Sequence, residues 1–493
     1  MTLSEVLQGV ALNSEMPPEM ATASVRGLAY DSRKAAVGFL FFAFPGANVD
    51  GSQFAAQAIA NGALAVVSEL PRPVDFEGNW IQAVHGRQAL SLAAGNFYGH
   101  PDRRLGITGI TGTNGKTTTS YLVDSILREA GHITGLVGTI EYRLAGKVLR
   151  AAANTTPESL ELFQLFSLLE ADGGTHATME TSSHALALGR VYGIQFHTAV
   201  FTNLTVDHLD FHHTMEAYFA AKALLFTGNG AAAPRFAVIN HDDPHAKQIE
   251  TNAGTEVFWY GLEEGSTTRA QKIVSTFEGL QFEIQHKGST YPVASPLVGE
   301  INVYNILAAW STGMSYSIQP AVIARGIAKC AAVPGRFERV QEGQPFLVIV
   351  DYAHTDDALK NAIRTARGMT KHRVITMFGC GGDRDRSKRP LMGMAAASKS
   401  DFVVLTSDNP RSEDPLDIMN DALVGIRRSD TPHIVEPDRE RAIRRAIEQA
   451  GPGDVVLLAG KGHETYQVLK DKVIDFDDRE IARRVLRGFG YSA

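Results

Sequence analysis

The run TGTNGKTTT, Thr111 to Thr119, carries the residues best suited to phosphate chemistry. Small residues let backbone N–H groups close around phosphate oxygens, and a helix starting there adds partial positive charge. The candidate cradle is Gly112, Thr113, Asn114, Gly115, Lys116, Thr117 and Thr118. Lys116 can reach terminal phosphates, and Thr117 offers a hydroxyl to Mg²⁺. The strict pattern G-x-x-x-x-G-K-[ST] would place a glycine at Ile110, but the glycine is Gly109, so the loop reads as a variant with one extra residue.

Further polar clusters follow apolar runs. Glu180 ends THATME and precedes Thr181, Ser182 and Ser183. An acid there can hold Mg²⁺ directly or through water; the serines equally suit a helix cap. DHLDFHH, Asp207 to His213, matches no zinc spacing and fits a hard-cation site or histidines that cap a loop. Lys222 lies in the apolar run AYFAAKALLF, where a lysine ordinarily snorkels to the surface. Arg336 in GRFE can pair with phosphate, and Asp351 in VDYAHTDDAL can hold ribose hydroxyls; an interdomain salt bridge and a helix cap are the alternatives.

Three loops combine both signs of charge: GCGGDRDRSKRP with Arg384, Arg386, Lys388 and Arg389, then SDNPR, then GKGHE. Arginine recognises a carboxylate through two parallel bonds, while Asp and Glu suit an ammonium. Together the loops point to a zwitterionic ligand; a solvated loop rim is the plainer alternative.

These residues must be carried by strands and helices. LGITGIT reads as a strand and SYLVDSILREAG as a helix, the context a phosphate loop requires. Strands alternate with helices through both the middle and the last third of the chain. That order predicts doubly wound, mostly parallel sheets with ligands at the carboxyl ends of the strands. The predicted class is α/β with three domains: a small N-terminal α/β domain over 1–100, a central phosphate-loop domain over 101–333, and a C-terminal doubly wound domain over 334–493. TFEGLQFEIQHKGSTYPV breaks the alternation and predicts antiparallel strands.

Bulk properties exclude several classes. The 493 residues are 44% hydrophobic and 20% charged, as in a globular protein. A net charge of −7 favours neither a nucleic acid nor an anionic membrane as partner. Cys330 and Cys380 are the two cysteines; they build no disulfide framework and suit a reducing compartment. The N-terminus lacks the basic and apolar regions of a signal peptide, and no run approaches the roughly 20 apolar residues of a membrane span.

The chain resembles the Mur ligase family over essentially its whole length. The likeness runs through YDSR, FFAFPGANVDG, TGTNGKTTT, ANTTP, METSSHAL, DHLDFH, the pattern YxxAKxxLF, GEINVYN, PGRFE, DYAH, GGDRD, DNPR and GKGHE. DNPR looks like the signature of members that add meso-2,6-diaminopimelate. The resemblance implies ATP-dependent addition of that amino acid to the D-glutamate γ-carboxylate of UDP-N-acetylmuramoyl-L-alanyl-D-glutamate. By the same resemblance, Ser32 and Ala47, Asn48 and Val49 would contact the uridine nucleotide. Asn154, Thr155, Thr156, Ser182 and Arg190 would hold the muramoyl-dipeptide. Lys116, Asn305, Arg336 and Asp351 would serve ATP. Thr117, Glu180, His208 and Lys222, the last as an N-carboxylysine, would organise Mg²⁺. Arg384, Asp408, Asn409, Pro410, Arg411, Gly460 and Glu464 would read diaminopimelate. A cytoplasmic monomer is implied. Two positions depart from the family pattern: Leu188 where a glutamine is common, and Asp356 where a proline is common.

Overall fold

The computed structural model describes residues 1–13, 16, 18–46, 49–152 and 154–492. Ala47 and Asn48 therefore lie outside the described residues. The chain divides into two compact units, 1–116 with 127–259 and 311–318, and 117–126 with 260–310 and 319–493.

The first unit contains a four-stranded parallel sheet, β1 (Gly27–Ala29), β2 (Phe39–Ala43), β3 (Ala65–Ser68) and β4 (Trp80–Gln82), in that order. Strand periodicity sorts its apolar residues between two cores. Leu40, Phe42, Ala65 and Val67 face one; Phe41, Ala43 and Val66 face the other.

The same unit holds β5 (Gly106–Thr111), β6 (Thr134–Val137), β7 (Glu141–Leu144), β8 (Lys147–Ala151), β9 (His176–Glu180), β10 (Thr198–Phe201) and β11 (Phe236–Asn240). They lie in the order β11-β10-β5-β9-β6-β7-β8. β11, β10, β5, β9 and β6 run parallel, with β7 and β8 antiparallel at the edge. Thr111 pairs with Phe201 and Ile110 with Glu180, so the loops after β5, β9 and β10 leave from one end.

In the second unit, the last residues of β12 (Glu256–Gly261) pair with β13 (Thr268–Ser275), which continues antiparallel through β14 (Leu280–His286) and β15 (Ser289–Ser295). This is the expected break in alternation. A six-stranded sheet follows: β16 (Glu338–Val340), β17 (Leu347–Asp351), β18 (Val374–Cys380), β19 (Phe402–Ser407), β20 (His433–Glu436) and β21 (Val455–Ala459). Its order is β16-β17-β21-β18-β19-β20, parallel except for β16. Ile349 and Leu457 face helices Asp356–Met369, Lys388–Lys399 and Pro415–Ile426; Val350 and Leu458 face Arg439–Glu448 and Asp478–Gly488. Helices on both faces bury both sides of the strands, which explains their unbroken apolar runs. Asp356 begins its helix under a Thr355 cap, an N-terminal place where a carboxylate is favourable.

Candidate active site

The phosphate loop leaves β5 and enters helix Lys116–Glu129. Gly112 has φ +143°, and a Cβ there would lie 1.9 Å from Thr202 Oγ1, so only glycine fits. Gly109 has another role. It lies within β5, where a Cβ would meet Phe196 at 2.7 Å. The loop's own glycines are Gly112 and Gly115, and counting Gly109 as its first glycine is corrected.

The segment after β10 braces the loop. Thr113 N donates to Asn203 O (2.8 Å), Asn114 N to Asn203 Oδ1 (2.9 Å), and Thr202 Oγ1 to Asn114 O (2.6 Å). Thr202 and Asn203 escaped the sequence reading because they carry no charge and match no motif.

Two lysines converge on one carbonyl. Lys116 Nζ donates to Gly112 O and Thr113 O, both at 2.8 Å, and Lys222 Nζ donates to Gly112 O at 2.8 Å. Lys222 is buried, its Nζ 4.3 Å from the Tyr218 ring centre. The expectation of a snorkelling surface lysine is overturned. Burial first, then the Lys116 charge, hold the Lys222 amine well below its ordinary pKa. His208 begins a short helix at φ +53° and packs edge-on against His184 at 4.8 Å. Burial pulls its imidazole down to about 4, so its ring is neutral.

Glu180 is buried at the end of β9. Its Oε1 accepts from Thr139 N (2.8 Å) and its Oε2 from Thr139 Oγ1 (3.0 Å). Gly138 leaves room for it, since a Cβ there would lie 2.5 Å from Oε1. Thr156 Oγ1 donates to Glu180 O (2.8 Å) and accepts from Ser182 N (3.0 Å). Ser182 also caps the next helix, so the capping reading holds for it. Arg190 donates to Thr156 O (3.1 Å) and pairs with Glu158 at 3.0 Å. Thr155 Oγ1 lies 3.1 Å from Thr139 Oγ1, and Asn154 O accepts from Tyr142 (2.6 Å). The candidates 154–156, 182 and 190 thus form one patch around Glu180.

Ser32 and Val49 belong to loops of the four-stranded sheet. Ser32 is buried and donates to Gln57 (2.8 Å); Val49 is half exposed. Nearby, Tyr30 donates to Glu161 (2.5 Å), on the helix that follows residues 154–156.

In the second unit, Asn305 is buried and joined to Thr119 Oγ1 (3.4 Å) and Asn302 (2.9 Å). Arg336 lies over the Tyr352 ring at 4.8 Å, and among the described residues its buried Nε has no hydrogen-bond partner. Asp351 accepts from Phe337 N (2.7 Å) and Ala353 N (2.9 Å). Burial raises the Asp351 pKa, against the opposing pull of Arg336.

Two of the named loops touch backbone to backbone. A Cβ on Gly335 would lie 1.9 Å from His463 N, at a φ of +62°. Gly335→Ala should therefore destabilise the protein by about 3 kcal/mol, combining overpacking with backbone strain. An unchanged thermal midpoint in calorimetry would contradict this contact.

The charged loops converge at the ends of β18, β19 and β21. Asp408 and Asn409 are buried. Asn409 Nδ2 donates to Glu464 Oε2 (2.9 Å). Gly460, at φ +116°, would place a Cβ 2.8 Å from Asp408 Oδ2. Arg411, at φ +52°, donates to Gly382 O (2.6 Å). Arg384 and Arg411 flank Gly381, whose Cβ would lie 3.8 and 3.1 Å from them. Pro410 packs its carbonyl against Gly382, 1.9 Å from a Cβ built there.

Arg386 and Arg389 are different. Arg389 is buried against Glu413 (2.7 Å) and Asp421 (2.9 Å), and Arg386 pairs with Asp421 (3.0 Å). Their charge is used internally, so they leave the candidate ligand set. Behind the loops, Arg439, buried and paired with Asp478, donates to Ser407 O (3.2 Å) and Ala459 O (3.1 Å), tying two strand ends together. Lys461, Tyr352 and His463 were not singled out from sequence, although each lies in a quoted motif. Burial pulls His463 down to about 3 and pushes Tyr352 up to about 12.

Comparison with known proteins gives a consistent result. The Mur ligase family catalytic domain matches residues 24–98, the Mur ligase middle domain 110–313, and the Mur ligase glutamate ligase domain 335–462. A protein of Solibacter usitatus (strain Ellin6076), named UDP-N-acetylmuramoyl-L-alanyl-D-glutamate--2,6-diaminopimelate ligase, is 65% identical over 100% of this chain and 99% of its own length. One of the same name from Geobacillus thermodenitrificans (strain NG80-2) is 47% identical over 93% of this chain and 94% of its own. A solved structure of a ligase with that name superposes with a TM-score of 0.72, at 33% identity and 100% coverage of both chains. With its phosphate loop, its buried lysine and its three charged strand-end loops, this chain belongs to the Mur ligase family.

Proposed function

We propose that this protein joins meso-2,6-diaminopimelate to the D-glutamate γ-carboxylate of UDP-N-acetylmuramoyl-L-alanyl-D-glutamate, in peptidoglycan synthesis, with ATP converted to ADP and phosphate. The observation that carries the specificity is the meeting of Arg384, Asp408, Asn409, Arg411 and Glu464 at adjacent strand ends. Two guanidiniums suit a carboxylate, and the acidic groups beside them suit an ammonium.

The γ-carboxylate attacks the γ-phosphate and ADP leaves. The amine then attacks the acyl phosphate, a C–N bond forms, phosphate leaves and the amine loses a proton. Lys116 and the loop N–H groups hold the nucleotide phosphates, with Arg336 and Asn305 serving ATP and the Asp351 carboxylate its ribose. Asn154, Thr155, Thr156, Ser182 and Arg190 orient the muramoyl-dipeptide, and the loops around Ser32 and residues 47–49 take the uridine nucleotide. These contacts position reactants that otherwise repel as like charges.

The residues suit Mg²⁺. Glu180 is a buried carboxylate, His208 a neutral imidazole with a lone pair, and Thr117 a hydroxyl. A Lys222 ammonium cannot ligate, but a neutral buried amine can take up CO₂, and the resulting carbamate supplies oxygen ligands. When bound, the ion offsets negative charge on the transferring phosphoryl group.

We further read residues 1–100, 101–333 and 334–493 as UDP-binding, ATP-binding and amino-acid-binding domains; the ranges of the three family matches support this division. The enzyme is read as a cytoplasmic monomer. Among the described residues no helix is long and apolar enough to cross a membrane, and both cysteines are buried.

An amino-acid panel in a ligation assay tests the reading. Phosphate release should require both the muramoyl-dipeptide and meso-diaminopimelate. Equal use of L-lysine would point to a lysine-adding member, and elongation of folylglutamate to a folylpolyglutamate-type ligase.

A further inference from the structure

Lys461 lies at the centre of the charged loops and its side chain is fully buried. Its Nζ donates to Asn409 Oδ1 (3.1 Å) and Glu464 Oε2 (3.1 Å), and lies 3.7 Å from Asp408 Oδ1. A lysine ammonium has only donors, so it dictates which way its neighbours point. Asn409 must present Oδ1 to Lys461 and to Val468 N (2.9 Å), which leaves Nδ2 for Glu464 Oε2. Glu464 then has Oε2 occupied twice, and its Oε1 is met by Tyr352 OH at 3.5 Å, a weak contact that a stronger donor can replace.

The charge count is equally specific. Asp408 and Glu464 bring two negative charges, and Lys461 cancels one. One negative charge remains for one ligand ammonium, beside the guanidiniums of Arg384 and Arg411 for one carboxylate. Arg439, behind the loops, is matched by Asp478 and adds no net charge to this balance.

We infer that Lys461 is a specificity-determining positioning residue: it spends one of the two carboxylates internally, so that the pocket accepts a single distal ammonium in a fixed direction. This rests on the diaminopimelate reading above. Lys461 meets its neighbours, not the ligand.

The test compares meso-diaminopimelate with 2-aminopimelate, which lacks the distal amine, in wild type and Lys461→Met. Wild type should discriminate strongly through KM. In the variant the diaminopimelate KM should rise at least about 30-fold and the discrimination ratio fall at least about 10-fold, with the ATP KM unchanged. Lys461→Gln, which retains a donor, should fall between the two and replaces Lys461→Met if that variant does not fold. A KM rise equal for both amino acids, or no rise, overturns the inference. Failure of wild type to use diaminopimelate overturns the functional reading instead.

Discussion

Replacing Lys222 with alanine should lower the ligation rate by about 10²- to 10³-fold, the usual cost of losing one preorganised charge-stabilising group. The amine is buried, faces Gly112 O and lies near the Lys116 charge. As an ammonium it would oppose Lys116; as a carbamate it would attract it, and its remaining N–H could still donate to Gly112 O. Carbamate formation uses the neutral amine, which the burial-depressed pKa favours over the ammonium. Acidification protonates the amine, so the carbamate should be lost as pH falls. Carbon-13 bicarbonate should label the wild-type protein at Lys222 and leave Lys222→Ala unlabelled. Full activity in the variant would falsify the assigned role.

Arg411→Ala should raise the diaminopimelate KM about 10- to 100-fold, matching about 1.5–3 kcal/mol for hydrogen bonds to a charged group. Arg411 sits at φ +52° in a loop anchored by Arg411 N to Val468 O (3.1 Å). Alanine leaves that backbone bond in place and is no more strained there than arginine, so the change reports on the guanidinium. The KM for ATP should stay within about two-fold. Arg411→Lys keeps the charge but loses the planar fork, and should recover only part of the affinity. Steady-state kinetics with each substrate varied in turn would decide; an unmoved amino-acid KM would exclude Arg411 from the pocket.

Much of this architecture was legible because strand ends are punctuated by polar residues. GCGG, SDN and GKG each follow an apolar strand, and parallel order brings those ends together. Lys222 was not legible from pattern alone. Helix Met215–Thr227 is apolar around most of its circumference, so periodicity does not say which way one lysine points; the family resemblance supplied the direction. Arg386 and Arg389 were misjudged because their carboxylate partners, Glu413 and Asp421, lie a whole strand and loop away. Gly109 was misjudged because a glycine beside a phosphate loop looks like part of it, whereas its neighbour Phe196 is distant in sequence. Thr202 and Asn203 carried no signal at all.

The Arg439–Asp478 pair has a consequence for inheritance. It fastens helix Asp478–Gly488 to the carbonyls that end β19 and β21. That helix is thus tied to the strands that lead into the DNPR and GKGHE loops. A chimera that imports another relative's DNPR loop while keeping a mismatched helix at 478–488 would carry the right letters on a loosened frame. A seam for modular exchange therefore does not belong inside this sheet.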